Sequence, residues 1–98
     1  MSRPVILRGE ALQDLREARD EYERRQPGLG LKLMRRVFDA LELIERFPNI
    51  HGKIWKTVRA TTVKRYPHVI YYHVHADHVE ILAVLHGSQD IGIVKGRA

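Results

Sequence analysis

The chain has 98 residues, 44% of them hydrophobic and 30% charged, with six histidines, no cysteine and a formal net charge of +5. That length holds one domain, residues 1–98, with a modest core; the lack of cysteine excludes a disulfide framework, and no apolar run approaches the roughly 20 residues that span a bilayer. The opening MSRPVILRG is too short and too interrupted by Arg3 and Arg8 for a secretory signal, so a cytoplasmic address is expected.

The charge is uneven. Residues 1–50 carry ten Lys or Arg against nine Asp or Glu, whereas residues 51–98 carry seven against three. A basic second half favours an acidic partner, either nucleic acid or a negatively charged protein segment.

Taken in order, residues 3–8 (RPVILR) predict one short strand that begins after Pro4 or lies at an edge, because proline cannot donate to a ladder. From Glu10 the period changes to that of a helix, with Ala11, Leu15, Ala18 and Tyr22 forming one stripe to about Arg25. Pro27-Gly28-Leu29-Gly30 breaks it. A second helix over 30–46 carries Leu33, Val37, Leu41 and Ile44 as its stripe, flanked by Met34 and Phe38, with Arg35, Arg36, Glu42 and Glu45 on the wet side. So short a connection makes the two helices antiparallel neighbours with one shared apolar surface. Asn49–Lys53 reads as loop and residues 57–63 as a strand of uncertain register.

The run 64–86, KRYPHVIYYHVHADHVEILAVLH, predicts a β-hairpin of residues 68–75 and 78–86 turning at Ala76-Asp77. Antiparallel pairing then sets Val74 opposite Val79, His73 opposite Glu80, Tyr72 opposite Ile81, Tyr71 opposite Leu82 and Ile70 opposite Ala83. Alternation places Ile70, Tyr72, Val74, Val79, Ile81, Ala83 and Leu85 on an apolar face for the helices to cover, and Val69, Tyr71, His73, His75, His78, Glu80, Leu82, Val84 and His86 on a mixed one. The tail GSQDIGIVKGRA shows little amphipathic pattern and reads as an exposed polar segment. The order β-α-α-β-β-β describes an α+β domain, a helical hairpin packed on a mostly antiparallel sheet.

The PGLG turn between the helices, the later VR, then RYPHVIYY and VEILAVLH followed by a tail opening GSQD, resemble the ParE branch of the RelE/ParE toxins of bacterial type II toxin-antitoxin modules. The likeness runs from about Leu12 to Asp90. It implies a cytoplasmic toxin held in a hetero-oligomer with a ParD-like antitoxin, whose acidic, flexible segment neutralises it. For the ParE branch the implied target is DNA gyrase; for the RelE branch the implied activity is ribosome-dependent mRNA cleavage. A ribonuclease of that kind needs a general base, a general acid and cations for the phosphorane charge. Where the RelE pattern has arginines and a terminal tyrosine, this chain has Val69, Gly87 and Ile93. The expectation is therefore a toxin that acts by binding, with no catalytic residues and no cofactor. The ParE pattern of a basic pair, an aspartate and a proline after the last strand is met here by Ser88-Gln89-Asp90-Ile91, which keeps only the aspartate.

Arg59, Lys64 and Arg65 are expected in or beside the antitoxin contact, as rim charges that set association rate and salt dependence. His86, Gln89, Asp90 and Arg97 are expected to form an exposed target-binding segment, so that deleting residues 88–98 relieves toxicity and leaves the core intact. His73, His75 and His78 invite a Zn2+ hypothesis, but the plainer reading is a solvated face on which His73 sits opposite Glu80, and no metal is expected. A plain nucleic-acid-binding module is the third reading, disfavoured because neither helix carries a set of basic base-reading residues; sequence-specific nucleic-acid binding is not expected.

Overall fold

The computed structural model describes residues 3–98. Its elements are β1 (Val5–Leu7), α1 (Gly9–Arg25), α2 (Leu29–Arg46), β2 (Lys53–Trp55), β3 (Val58–Thr62), β4 (His68–Val74), β5 (Val79–His86) and α3 (Gly92–Arg97). The five strands form one sheet in the order β1-β5-β4-β3-β2. β1 runs parallel to β5 and the remaining pairs are antiparallel, giving the α+β architecture read from the sequence.

The helical hairpin follows from local chemistry. Gly28 sits at φ 93, a conformation that favours glycine, and the Glu23 carboxylate accepts the N–H groups of both Gly28 and Gly30 at 3.0–3.1 Å. This side chain satisfies donors that the first turn of α2 leaves unpaired. A Cβ on Gly30 would lie 2.9 Å from the Arg19 carbonyl oxygen, so the two helices meet closely only because that side chain is missing. The predicted stripes face the core: Ala11 and Leu15 from α1, and Leu33, Val37, Leu41 and Ile44 from α2, are buried with Ile70, Tyr72, Val79 and Ile81 of the sheet, while Ala18 and Tyr22 of the α1 stripe pack against it half-buried.

β5 departs from simple alternation. Its register with β4 runs Val74 to Val79, His73 to Glu80 and Tyr72 to Ile81 as expected, then passes to Tyr71 with Ala83, Ile70 with Val84 and His68 with His86. Leu82 is the extra residue of a bulge, which moves everything after it by one position. The expected pairs Tyr71–Leu82 and Ile70–Ala83 do not form. Val84 consequently joins the helix-side core, while Ala83 and Leu85 turn to the opposite face with Leu82, Val58 and Val94.

That opposite face is not the open, mixed surface the alternation suggested. The tail folds into α3, and Val94 is fully buried against Val58, Leu82, Ala83 and Leu85, with Trp55, Tyr71 and Ile91 at the margin. β2, three residues long, is likewise an addition, since only residues 57–63 were expected as a strand here, and it joins β3 through a turn in which Lys56 has φ 50. No helix among the described residues is long and apolar enough to cross a membrane.

Candidate partner-binding surfaces

The expected cations fall into two places. Lys64 and Arg65 lie in the turn between β3 and β4, where Arg65 takes φ 70. Arg65 lines a cleft of about 650 Å3 together with Lys32, Arg35, Arg36, Phe38, Asp39 and Tyr66. Four cations thus surround an exposed aromatic ring, since Phe38 is 55% exposed, with a single acid among the lining side chains. Arg59 lies elsewhere, in a smaller cleft of about 270 Å3 shared with Arg3, Lys53 and Thr57, and its Nη1 donates to the His51 carbonyl at 2.6 Å. The structure therefore does not bring Arg59 and Arg65 into one patch.

The residues expected in the tail also divide. His86, Gln89 and Asp90 form a compact turn: the His86 N–H donates to Gln89 Oε1 at 2.8 Å, Ser88 Oγ lies 2.7 Å from His86 Nδ1, and Asp90 Oδ1 accepts the Gly92 N–H at 2.8 Å. Arg97 is turned inward. It forms a two-pronged pair with Asp14 at 2.6 and 3.1 Å and donates to the Leu82 carbonyl at 3.1 Å, while its own carbonyl accepts from Arg8 Nη1. This pairing raises the pKa of Arg97, chiefly through the hydrogen bond to Asp14. Of the expected segment, the turn at 86–90 remains as exposed polar surface.

A further cleft, about 450 Å3, opens between α1 and the ends of β4 and β5, where His68, His86 and Gln89 meet Glu17, Glu21 and Arg25. His68 is only 6% exposed and its Nδ1 has no hydrogen-bond partner among the described residues. Burial holds its pKa below 6.5, with the neighbouring His86 adding to the effect. At the hairpin tip, the Glu80 carboxylate meets His75 Nε2 at 3.1 Å although His73 is its cross-strand partner. The His75 and His78 rings stack with centroids 4.5 Å apart, and the hydrogen bond from His78 lowers the pKa of Asp77.

The three positions that the sequence sets against the nuclease pattern carry no titratable group. Val69 is a half-buried residue of β4 paired with Thr62 and Leu85, Gly87 donates its N–H to the Pro67 carbonyl at 2.7 Å, and Ile93 lies in α3. Sequence reasoning missed the cations of α2: Lys32, Arg35 and Arg36 fall on the wet side of the wheel, where charge is unremarkable. The available signal was Phe38, an aromatic residue at the border of that wet side.

With this arrangement in view, the family comparison is decisive. The family described as ParE toxin of type II toxin-antitoxin system, parDE, matches residues 5–91. The chain belongs to the ParE toxin family. Among solved structures, it is similar to that of the chromosomal ParDE TA system from P. aeruginosa, at 20% identity and a TM-score of 0.74, over 85% of this chain and 94% of that one. It is also similar to the YoeB dimer from Staphylococcus aureus, at 15% identity and a TM-score of 0.59, with the same coverage of 85% and 94%. At these identities the two structures speak for the fold that this ParE-family chain adopts. No curated protein matches it.

Proposed function

We propose that this ParE-family toxin arrests growth by binding DNA gyrase, breaking no bond itself, and that a cognate ParD-like antitoxin neutralises it in the cytoplasm. The observation that carries the antitoxin half of this reading is the basic cleft of Lys32, Arg35, Arg36 and Arg65 around Phe38. An acidic segment with one apolar anchor suits such a cleft. The anchor covers the Phe38 ring and the carboxylates meet guanidinium groups whose fork geometry matches them. The concentration of cations also speeds encounter in a salt-dependent way.

The gyrase half rests on the ParE family membership together with the side chains at Val69, Gly87 and Ile93. None of these can move a proton or hold an anionic oxygen, so the chemistry of 2′-hydroxyl attack lacks its groups at those places. Binding is the mode that remains, and the polar turn from His86 to Asp90 supplies a surface for it. Induction of the chain in growing cells tests the reading. It predicts DNA breaks and a halt in replication, both relieved by co-expressed antitoxin; site-specific cuts in mRNA with intact DNA would assign the chain to the ribonuclease branch instead.

A further inference from the structure

The tip of the β4–β5 hairpin gathers three metal-ligating side chains that the toxin reading does not use. His73 is in β4 and His75 lies one residue past its end, with the two ring centroids 5.9 Å apart, and Glu80 is the cross-strand partner of His73. One donor atom from each of the three lies within 4.8 Å of the other two. His75 Nε2 and Glu80 Oε1 are already 3.1 Å apart. Ligand atoms around a tetrahedral zinc stand roughly 3.3 Å apart, as bonds of about 2.0–2.1 Å require. Small side-chain rotations, available to half-buried and exposed groups, close the remaining gap.

We propose that His73, His75 and Glu80 form a Zn2+ site that clips β4 to β5 at the hairpin tip. Two imidazoles and one carboxylate suit this borderline cation, and the fourth position is left to water. The backbone beneath is held by the His75 N–H donating to the His78 carbonyl at 2.8 Å, and the His73 ring is steadied by Thr57 Oγ1 at 3.3 Å from its Nε2. His78 does not belong to the ligand set. Its Nδ1 is engaged by Asp77 at 2.7 Å and its ring is stacked on that of His75. Arg3, Lys53 and Arg59, which line the small cleft with His75 at this end of the sheet, oppose a cation and weaken its binding.

The test uses the tag-free full chain titrated with ZnCl2 at pH 7.5, read by calorimetry and by imidazole 1H–15N correlation spectra. The expected result is one Zn2+ per chain, with resonances of His73 and His75 shifted and those of His51, His68 and His86 unchanged. A rise in Tm of at least about 4 °C at saturating Zn2+, reversed by EDTA, should accompany it. H75A should abolish binding and E80Q should weaken it at least ten-fold, whereas H78A should retain it. Absence of saturable binding, shifts centred on His68 and His86, or loss in H78A with retention in E80Q would each overturn the assignment. The wild-type spectra decide even where a variant folds poorly.

Discussion

Asp14 and Arg97 stand 83 positions apart in the chain, yet Asp14 Oδ2 lies 2.6 Å from Arg97 Nη1 and the same oxygen accepts the Val84 N–H at 3.1 Å. Arg97 in turn donates to the Leu82 carbonyl. The pair thus satisfies the two backbone groups that flank Ala83 just beyond the end of β1, where β5 has no neighbouring strand on that side. The first helix, the β5 bulge and the C-terminal helix are fastened by one ion pair. With side-chain exposures of 16% and 11%, that pair is screened little by solvent.

Removing one partner should therefore be costly. D14A leaves the Val84 N–H without its acceptor and the Arg97 guanidinium with only the Leu82 carbonyl and the more distant Glu10 carboxylate, and is expected to destabilise by about 3 kcal/mol, as loss of one member of a largely buried pair does. In a double-mutant cycle with R97A, urea unfolding should give a coupling energy of about 1–3 kcal/mol. Additive effects would contradict the clamp.

The same contacts change the meaning of a tail deletion. Removing residues 88–98 strips Val94 from Val58, Leu82, Ala83 and Leu85, so the truncated chain should lose several degrees of Tm and expose apolar surface as well as any toxicity. Substitutions in the 86–90 turn test the target surface more cleanly. Q89A and H86A are expected to reduce toxicity while shifting Tm by less than about 2 °C, readable by growth assay beside thermal unfolding.

How much of this was legible in the sequence depended on whether a pattern had contrast. The stripes Ala11-Leu15 and Leu33-Val37-Leu41-Ile44 stand out against charged neighbours, and both helices lie where the period of 3.6 puts them. The bulge had no such contrast: Ile81 to Leu85 are all apolar and all buried, so no polar residue marks where the alternation slips. The segment GIVKGR hides α3 because two glycines lower its helix propensity and six residues show less than two turns. Arg59 and Arg65 looked equivalent as charges along the same stretch of chain, and only the sheet places them in separate clefts. Nothing in the sequence sets Asp14 apart from the other acids of α1, and only the fold of α3 supplies its partner.

Antitoxin binding should follow the cleft around Phe38. R65A combined with R35A is expected to slow association about ten-fold at low salt and to flatten its salt dependence, measured by surface plasmon resonance across a salt series. R59A should change the rate little, since that guanidinium is spent on the His51 carbonyl. The opposite ranking would move the contact to the Arg59 end of the sheet.

Close helix approach predicts a third weakness. G30A places a Cβ 2.9 Å from the Arg19 carbonyl, a backbone atom that cannot swing aside, and should cost about 1–3 kcal/mol despite alanine's better helix propensity. Equilibrium unfolding reads this directly, and a stabilised variant would show that the helices can separate freely.

Stability should also fall on mild acidification. His51, His68 and His73 all have pKa values pushed below 6.5, in each case mainly by burial. The unfolded chain then binds protons near pH 6.5 that the folded chain refuses, so the stability present above that pH drains away as pH falls through and below it. Thermal unfolding at pH 7.5 and 5.5 should show a lower Tm at the acid end, and H68Q should reduce the difference. A Tm that rises on acidification would contradict the burial of neutral imidazoles.

The central claim, a toxin that works by binding gyrase, is tested most directly with purified components. Antitoxin-free protein is added to DNA gyrase in a supercoiling assay and, in parallel, to translating ribosomes with a labelled mRNA. The account predicts loss of supercoiling with accumulation of cleaved-DNA complexes, reversed by the antitoxin, and intact mRNA. Normal supercoiling together with codon-specific mRNA cuts would contradict it.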